Sequence, residues 1–314
     1  MVEKILVALG GNALIRSGQW GAIEEQAANL RQALEGVAAL IRWGHRVVIT
    51  HGNGPQVGHI LLRVEEARGK AYPLPLDVCV AQSQGEIGYL IQQGLQNLLH
   101  RHGIERPVTA VVTRTLVDKH DPRMKTPTKP VGPFYTREQA AGLKDRGWTV
   151  AEEAHRGFRR VVPSPVPLRV LEAEVVHRLF EEGVVVVAVG GGGVPVSLAD
   201  DGTLVGVEAV VDKDLASSLL AVTIGAEKIL DLTDVEHVKL HFGSPSERNL
   251  PALSVSEAKR YLAEGHFAPG SMGPKIEAAI HFLERGGREV IITTPEKALD
   301  SFSGQGGTHL YPDA

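Results

Sequence analysis

The sequence predicts an α/β protein in which helices cover both faces of a largely parallel sheet. Short β-branched runs alternate with longer segments of helical periodicity along the chain. Most of these runs are apolar without interruption, which is typical of parallel strands covered on both faces. Glycine, at 35 of 314 residues, clusters where the runs end. Because ligands bind at the carboxyl ends of strands in such sheets, these glycines are candidates for a binding site.

The β-branched runs predict the strands, and the segments of helical periodicity predict the helices. Six strands are predicted at residues 5–9, 46–50, 109–117, 184–189, 228–233 and 289–294. Helices are predicted at residues 22–43, 56–69, 77–101, 169–182, 213–225, 255–264 and 273–286. The Asp-Gly turn in "LADDGTLVG", residues 198–206, predicts a β-hairpin.

Residues 118–165 break this alternation and predict an insertion that projects from the sheet, here called the lid insertion. It is polar, and "RRVVPSP" suggests a small antiparallel sheet within it. Its segment "TPTKPVGPFYT" has prolines at Pro127, Pro130 and Pro133, which favour a stiff, extended backbone around Lys129. From these residues alone, a rigid spacer or a ligand for a proline-binding domain is the alternative to a functional lysine.

Composition narrows the class of protein. The net charge is −4 without a basic block, so we expect no nucleic-acid partner and no polybasic membrane anchor. The single cysteine, Cys79, allows neither an internal disulfide nor a thiolate metal cluster. No apolar run reaches the roughly 18 residues needed to span a bilayer, and the N-terminus enters a strand-like run directly. We therefore expect a cytoplasmic soluble protein.

Two turns, at residues 10–12 and 52–54, each follow a predicted strand and contain glycine and asparagine. Glycines let backbone N–H groups approach a ligand closely, and a helix N-terminus favours anions. The alternative is that these are only tight turns, with Asn12 capping the segment that follows. Two such turns on neighbouring strands favour one shared anion site over this alternative. His51, before the second turn, is either a base or a strand-end residue held by backbone. The candidate residues are Gly10, Gly11, Asn12, Gly52, Asn53 and Gly54.

A third turn, in "VAVGGGGVPV" at residues 187–196, follows a buried strand. Its bare backbone, at Gly191 and Gly192, could approach phosphates. The segment is not a dinucleotide-binding fingerprint, because Pro195 replaces the last glycine and no helix follows directly. A flexible turn into the hairpin is the alternative.

Two lysines lie where helices begin. Lys213 stands between Asp212 and Asp214, and Lys275 follows the glycine-rich "APGSMGP". A helix N-terminus disfavours cations, so a lysine there requires carboxylates or a bound anion. Helix capping explains the aspartates but not the lysine between them. The recurrence favours two lysines directed at one polyanion.

Taken together, "GGNAL", "HGNGPQVG", "KPVGPFYT", "VVDKDLAS", "LTDVEHV" and "GSMGPK" resemble carbamate kinases of the amino acid kinase family. The motifs run from residue 10 to residue 275, and the proline-punctuated lysine is specific to carbamate kinases within that family. The resemblance implies an open αβα sandwich and reversible phosphoryl transfer between ATP and carbamate, giving ADP and carbamoyl phosphate, with Mg²⁺. It also implies a homodimer of single-domain chains (1–314). Carbamate would bind in residues 1–205 and the nucleotide in residues 206–314.

The resemblance also assigns roles. Lys213 and Lys275 would offset charge on the transferring group, Asp214 would position them, and Lys129 would act from the lid. Backbone N–H groups of the two Gly-Asn turns would surround the acceptor. The nucleotide would lie against Asp231, Thr233, Asp234, Val235, Met272 and Gly273. One departure is His241 in "HFG", where the family usually has asparagine.

Two rival functions remain at this stage. One is a kinase of the same family that acts on a larger acid, such as an acetylated amino acid. The other is a catalytically silent nucleotide-binding or regulatory protein. The lid lysine opposes the first, and the intact Lys213, Asp214 and Lys275 oppose the second.

Overall fold

The computed structural model describes residues 2–16, 18–145, 147–153 and 157–313. Within these residues the strands, in chain order, are β1 Lys4–Leu9, β2 Arg46–His51, β3 Val108–Ala110, β4 Arg114–Val117, β5 Lys129–Tyr135, β6 Val150–Glu153, β7 Gly157–Val162, β8 Pro167–Val170, β9 Val185–Val187, β10 Val194–Leu198, β11 Leu204–Gly206, β12 Lys228–Leu232, β13 Val238–Leu240, β14 Arg248–Leu250, β15 Ala252–Ser254, β16 Glu289–Thr293 and β17 Thr308–Tyr311. The helices are α1 Ile23–Arg42, α2 Gly54–Glu66, α3 Leu76–Arg101, α4 Arg137–Asp145, α5 Ala173–Glu181, α6 Lys213–Thr223, α7 Val255–Ala263, α8 Met272–Leu283 and α9 Ala298–Phe302.

An eight-stranded sheet forms the centre of the molecule. Its strand order is β15-β17-β16-β12-β1-β2-β9-β3. The six strands from β16 to β3 run parallel, while β17 pairs antiparallel with β16 and parallel with β15. The predicted, mainly parallel sheet is therefore confirmed.

Helices cover both faces of this sheet. Along β1, Ile5, Val7 and Leu9 enter one apolar cluster with α1, α3 and α9. Leu6 and Ala8 enter the opposite cluster with α5, α6, α7 and α8. Successive side chains of a strand point to opposite faces, so an uninterrupted apolar run fills both clusters. The predicted αβα sandwich is confirmed.

The lid insertion carries its own antiparallel sheet, with strand order β5-β7-β6, and helix α4. The proline-rich strand β5 lies at the sheet's edge, where a missing N–H group leaves no ladder bond unmade. On the body side, Val131 and Val162 join Val57 of α2 and Cys79 of α3 in a third apolar cluster. Cys79 is fully buried in it.

The structure departs from the predicted elements in several places. Residues 109–117 form two strands in different sheets, β3 and β4, not one. The helix predicted at 169–182 begins too early, because residues up to Val170 belong to β8, which precedes α5 and pairs with β4. Helices α4 and α9 and strands β13, β14, β15 and β17 were not predicted. The hairpin at 198–206 is confirmed by β10 and β11, in a four-stranded sheet of order β11-β10-β4-β8.

None of the described helices combines the length and the apolar composition needed to cross a bilayer.

Candidate active site

The turns after β1, β2, β9 and β12 lie at one edge of the central sheet and border a cavity of about 280 Å³, the acceptor cavity. The lid and the starts of α6 and α8 complete its walls. The predicted site residues that line it are Gly10, Gly11, Gly52, Asn53, Gly54, Lys129, Gly191, Lys213, Asp214, Thr233 and Lys275. A larger cavity of about 430 Å³ lies between α1 and residues 295–300, and no predicted site residue is among the described residues lining it.

Only part of the backbone in the two Gly-Asn turns is available to a ligand. Gly10 N–H donates to the last carbonyl of β12 (2.8 Å), and Gly52 N–H donates to the last carbonyl of β1 (2.9 Å). These amides extend the sheet ladder, which corrects the expectation that every amide of the turns faces a ligand. Among the described residues, no protein acceptor is bonded to the amides of Gly11, Asn53 and Gly54. These three remain as donors.

Asn12 lies in a 3₁₀ turn, Gly11–Ala13, and its side chain is outside the described part of the chain. Its predicted contact with a ligand stays a prediction.

The four-glycine run, Gly190–Gly193, is required by packing as much as by ligand access. A Cβ on Gly191 would lie 2.0 Å from Asn53 Nδ2, and one on Gly192 would lie 2.5 Å from the Val211 carbonyl oxygen. Both glycines also have positive φ, 62° and 89°. Gly191 borders the acceptor cavity, but Gly192 does not, so its predicted phosphate contact is not supported by the geometry.

His51 is held in its neutral form below this run. Its Nδ1 donates to the Gly52 carbonyl (2.9 Å). Burial, with a smaller effect of Lys213, lowers the pKa of His51 to about 4. The strand-end interpretation of this histidine is therefore favoured over a catalytic base.

The two helix-start lysines meet around two carboxylates. Lys213 Nζ lies 2.5 Å from Asp214 Oδ1 and 3.5 Å from Asp231 Oδ1. Lys275 Nζ lies 3.3 Å from Asp214 Oδ1 and 2.8 Å from Asp231 Oδ2. All four side chains are at most 12% exposed. The structure thus brings together residues that are up to 62 positions apart in the chain.

Asp214 and Lys275 stabilise each other's charged forms. Burial alone would raise the pKa of Asp214, but Lys213 and Lys275 hold it well below its usual range. Burial would lower the pKa of Lys275, yet Asp214 and Asp231 raise it well above its usual range. The ammonium of Lys275 therefore borders the acceptor cavity as a permanent cation.

The lid contributes a third cation. Lys129, the first residue of β5, places Nζ 2.7 Å from Asp212 Oδ2. Asp212 also caps α6, because its Oδ1 accepts hydrogen bonds from the backbone of Asp214 (2.9 Å) and Leu215 (3.4 Å). One carboxylate thereby joins the lid to the helix that begins with Lys213.

A second cavity, of about 230 Å³, adjoins the first. It is called the nucleotide cavity after the expectation drawn from the sequence, because several residues expected to contact the nucleotide line it. The two cavities share Thr233, Ser271 and Lys275. The remaining lining is largely apolar or aromatic with several basic side chains. It comprises Asp234, Val235, His237, Lys239, Phe242, His266, Phe267, Ala268 and Met272.

Comparison with known proteins gives this site a context. The sequence model of the amino acid kinase family matches residues 3–294. The chain belongs to this family.

Its similarity to individual members extends over the whole chain. The carbamate kinase of Pyrococcus horikoshii is 49% identical over 315 residues, covering 99% of this chain and 100% of the relative. The carbamate kinase of Pyrococcus furiosus is 49% identical over 316 residues, with the same coverage. A solved structure of carbamate kinase from Giardia lamblia bound to AMP-PNP matches with a TM-score of 0.92 and 40% identity, covering 99% of both chains.

Against this family background, four predicted nucleotide residues line the nucleotide cavity and two do not. Thr233, Asp234, Val235 and Met272 line it. Asp231 is instead the buried ion-pair partner of Lys275 and is not among the described residues that line this cavity. Gly273 is turned toward the loop before α8, where its N–H donates to the Ala268 carbonyl (2.9 Å).

His241, where this chain departs from the usual family pattern, does not line the nucleotide cavity. It adopts a left-handed conformation (φ 52°), and its ring centroid lies 4.7 Å from that of His266. Phe242 and His266 line the cavity instead.

Sequence reasoning missed several residues that the structure brings into the site. Asp212 was considered only as a helix cap, although its position before Lys213 was visible. Lys239 and His266 carried no motif that singled them out. They lie at the nucleotide cavity because β13 and the end of α7 meet there, which local sequence does not encode.

Proposed function

We propose that the protein is a carbamate kinase, which transfers the γ-phosphoryl group of ATP reversibly to a carbamate oxygen. The bond from phosphorus to the oxygen it shares with ADP breaks, and a bond to carbamate oxygen forms, giving carbamoyl phosphate. The observation that carries the proposal is the acceptor cavity. Lys213, Lys275 and the lid residue Lys129 border it, together with backbone N–H groups that have no protein acceptor among the described residues. The similarity to carbamate kinases over the whole chain supports it.

The chemistry is positioning and neutralisation of charge. Phosphoryl transfer spreads negative charge over the oxygens of the transferring group. The ammonium groups of Lys213 and Lys275 stabilise that charge as it develops, and Asp214 and Asp231 fix both lysines in place. The free amides of Gly11, Asn53 and Gly54 add neutral donors at the same edge. Carbamate is already an anion, so the reaction requires no general base.

Mg²⁺ enters on the nucleotide. Within the described chain, no three His, Cys, Asp or Glu side chains are grouped as a metal cage. The aspartates of the acceptor cavity are paired with lysines. Such a site fits a Mg²⁺ ion held by nucleotide phosphates and water, which is its usual mode in kinases.

The two substrates occupy the two cavities. We assign ATP or ADP to the nucleotide cavity, whose described lining residues all lie between 233 and 275, and carbamate or carbamoyl phosphate to the acceptor cavity. This supports a single domain, 1–314, with an acceptor part about 1–205 that includes the lid insertion, and a nucleotide part about 206–314.

The lid has a specific task in this reaction. Carbamate is small and offers few groups for recognition, so a contact made only on closure adds both affinity and exclusion of water. Lys129 is placed to make that contact. Its proline-rich strand reduces the entropy lost when the lysine is ordered.

The proposal extends to assembly and location. The resemblance favours a homodimer, which light scattering would report as twice the 33.7 kDa chain mass. A mass equal to one chain at micromolar concentration would contradict this. Because ATP and ADP are supplied in the cytoplasm, we place the enzyme there.

The test is ATP formation from ADP, Mg²⁺ and carbamoyl phosphate by the purified protein. Turnover supports the proposal. Turnover only in the forward direction with N-acetylated amino acids would support the rival kinase. ADP binding without turnover on any acyl phosphate would support the silent nucleotide-binding protein.

A further inference from the structure

The two oxygens of Asp212 serve two different parts of the molecule. Oδ1 caps α6, and Oδ2 accepts the Lys129 hydrogen bond at 2.7 Å. The Asp212 side chain is 11% exposed and that of Lys129 is 34% exposed. A lysine on a projecting insertion is thus held by a nearly buried carboxylate.

Elsewhere the lid insertion meets the body through close apolar packing and through ion pairs that lie outside the acceptor cavity: Arg160–Glu208 (3.4 Å), Lys119–Asp200 (2.6 Å) and Arg123–Glu277 (3.9 Å). Val131 packs with Val57, and the backbone of Gly132 lies against Gly58. Apolar contacts fix the position of β5 but do not orient a flexible ammonium group. Within the acceptor cavity, the Asp212 ion pair is the polar contact that does so.

Charge balance explains why such a partner is present. The cavity holds three ammonium groups, and each has an aspartate partner: Asp212 for Lys129, and Asp214 and Asp231 for the other two. Without Asp212, a closed lid would bring an uncompensated cation beside Lys213 before any substrate arrived. Like charges in a poorly solvated cavity repel, so the lid would open.

We propose that Asp212 is a latch: a positioning residue that holds Lys129 over the acceptor cavity and keeps the lid closed before the acyl substrate binds. The latch deepens the proposed function and rests on it for its kinetic consequence. The acyl substrate brings its own negative oxygens, with which Lys129 then shares its hydrogen bonds. Asp212 acts through Lys129 and does not itself contact the transferring group.

Asp212→Asn removes the ion pair with Lys129 but keeps the N-cap of α6. Asparagine is as good an N-cap as aspartate, so α6 keeps its first turn, but the charge that holds Lys129 is gone. We expect the KM for carbamoyl phosphate to rise about 5- to 10-fold, with the Kd of ADP and the Tm little changed. In a double-mutant cycle, Asp212→Asn should add nothing to Lys129→Ala.

A second readout requires no activity. In the ligand-free protein, hydrogen exchange in residues 129–135 and 157–162 should be at least about 3-fold faster in Asp212→Asn than in wild type. The amides at the start of α6 should exchange as before. The matched control is the exposed pair Lys297–Asp300, 3.2 Å apart and outside the lid insertion, where Asp300→Asn should change neither KM nor lid exchange.

Wild-type KM and wild-type lid exchange in Asp212→Asn would overturn the latch, as would additive effects in the cycle. If the wild-type protein made no ATP from carbamoyl phosphate, the proposed function would fail, and the exchange measurement would still decide on the latch.

Discussion

A single oxygen atom, Asp214 Oδ1, accepts hydrogen bonds from both Lys213 and Lys275. Asp231 holds the same two lysines from the other side. At the scale of residues, this group is one unit, because removing any member leaves a nearly buried charge with fewer partners.

Lys275→Ala should therefore lower both activity and stability. We expect kcat to fall at least about 100-fold, the typical cost of removing one donor to developing charge. The Tm should also fall, because Asp231 keeps only Lys213, at 3.5 Å. Steady-state kinetics and calorimetry measure both. Lys297→Ala, in the exposed pair with Asp300, is the control and should change neither quantity; normal turnover in Lys275→Ala would remove that lysine from the mechanism.

His309 is a second residue whose charge is fixed by geometry. Its Nδ1 lies 2.7 Å from Glu289 Oε1 and its Nε2 lies 3.0 Å from the Gly306 carbonyl oxygen. Both partners are acceptors, so the doubly protonated ring donates to both. The hydrogen bond to Glu289 raises the pKa of His309 above its usual 6.5. Its stabilisation is complete below pH 6.5 and is lost as pH rises through the raised pKa.

His309→Gln should thus destabilise more at about pH 6 than at about pH 8.5, since wild type has lost part of the charged interaction at the higher pH. Urea unfolding of both proteins at both pH values measures the difference. Exposed His100→Gln is the control. A loss of stability in His309→Gln that did not vary with pH would mean that the ring is neutral in the folded protein.

At the scale of elements, the contact of α2 with β5 sets the height of the lid above the sheet. A Cβ on Gly58 would lie 2.7 Å from Gly132 Cα, closer than backbone atoms allow, so the absence of a side chain is what permits this approach. The lid strand and Lys129 depend on it.

Gly58→Ala should raise the KM for carbamoyl phosphate by about 3-fold or more, because displacing β5 moves Lys129, and a small misplacement is costly in such a site. ADP affinity should not change. The control is Gly142→Ala in α4, where the added Cβ meets open space and alanine favours the helix by about 1 kcal/mol. If both variants had wild-type kinetics, the lid position would not depend on this contact.

Elements were predictable from sequence where the pattern was continuous and local. β1, β2, β12 and β16 agree with the apolar runs within a residue at either end. The run 109–117 failed because Gln84 of α3 bonds both backbone groups of Thr113, N–H at 2.8 Å and carbonyl at 3.0 Å. The same carbonyl accepts a hydrogen bond from the N–H of Val194 (2.8 Å), the first residue of β10, so the chain crosses from the central sheet to the sheet of β10 at this residue.

At the scale of the whole molecule, the two cavities meet at a wall formed by Thr233, Ser271 and Lys275. In the proposed assignment of substrates, donor and acceptor react at this shared boundary, while different elements recognise each of them. Many of the described residues that line the acceptor cavity were predicted from motifs in the sequence. Which amides were free was not predicted, because the bonds of Gly10 and Gly52 depend on the order in which β12, β1 and β2 are arranged.

If the two cavities recognise their substrates separately, a substitution in one cavity should weaken binding of one substrate and leave the other unaffected. Phe242→Ala should weaken ADP binding at least about 5-fold through lost stacking on the base, with little change in KM for carbamoyl phosphate. Lys129→Ala should raise the KM for carbamoyl phosphate and leave ADP binding little changed. Calorimetric titration with ADP and initial-rate kinetics measure the two effects, and exposed Tyr72→Ala is the aromatic control. Loss of ADP affinity in Lys129→Ala would place this lysine in the nucleotide site.

The burial of Cys79 has a practical consequence. It is the only thiol of the chain, and burial raises its pKa to about 11, so it is neither accessible nor ionised at neutral pH. Thiol-directed labels should leave the unaltered protein unmodified. A pair of cysteines introduced at the exposed residues Lys125 and Glu277 would carry two fluorophores or spin labels without background. Lid position could then be followed as a distance in real time, without removing Cys79 or any residue of the site.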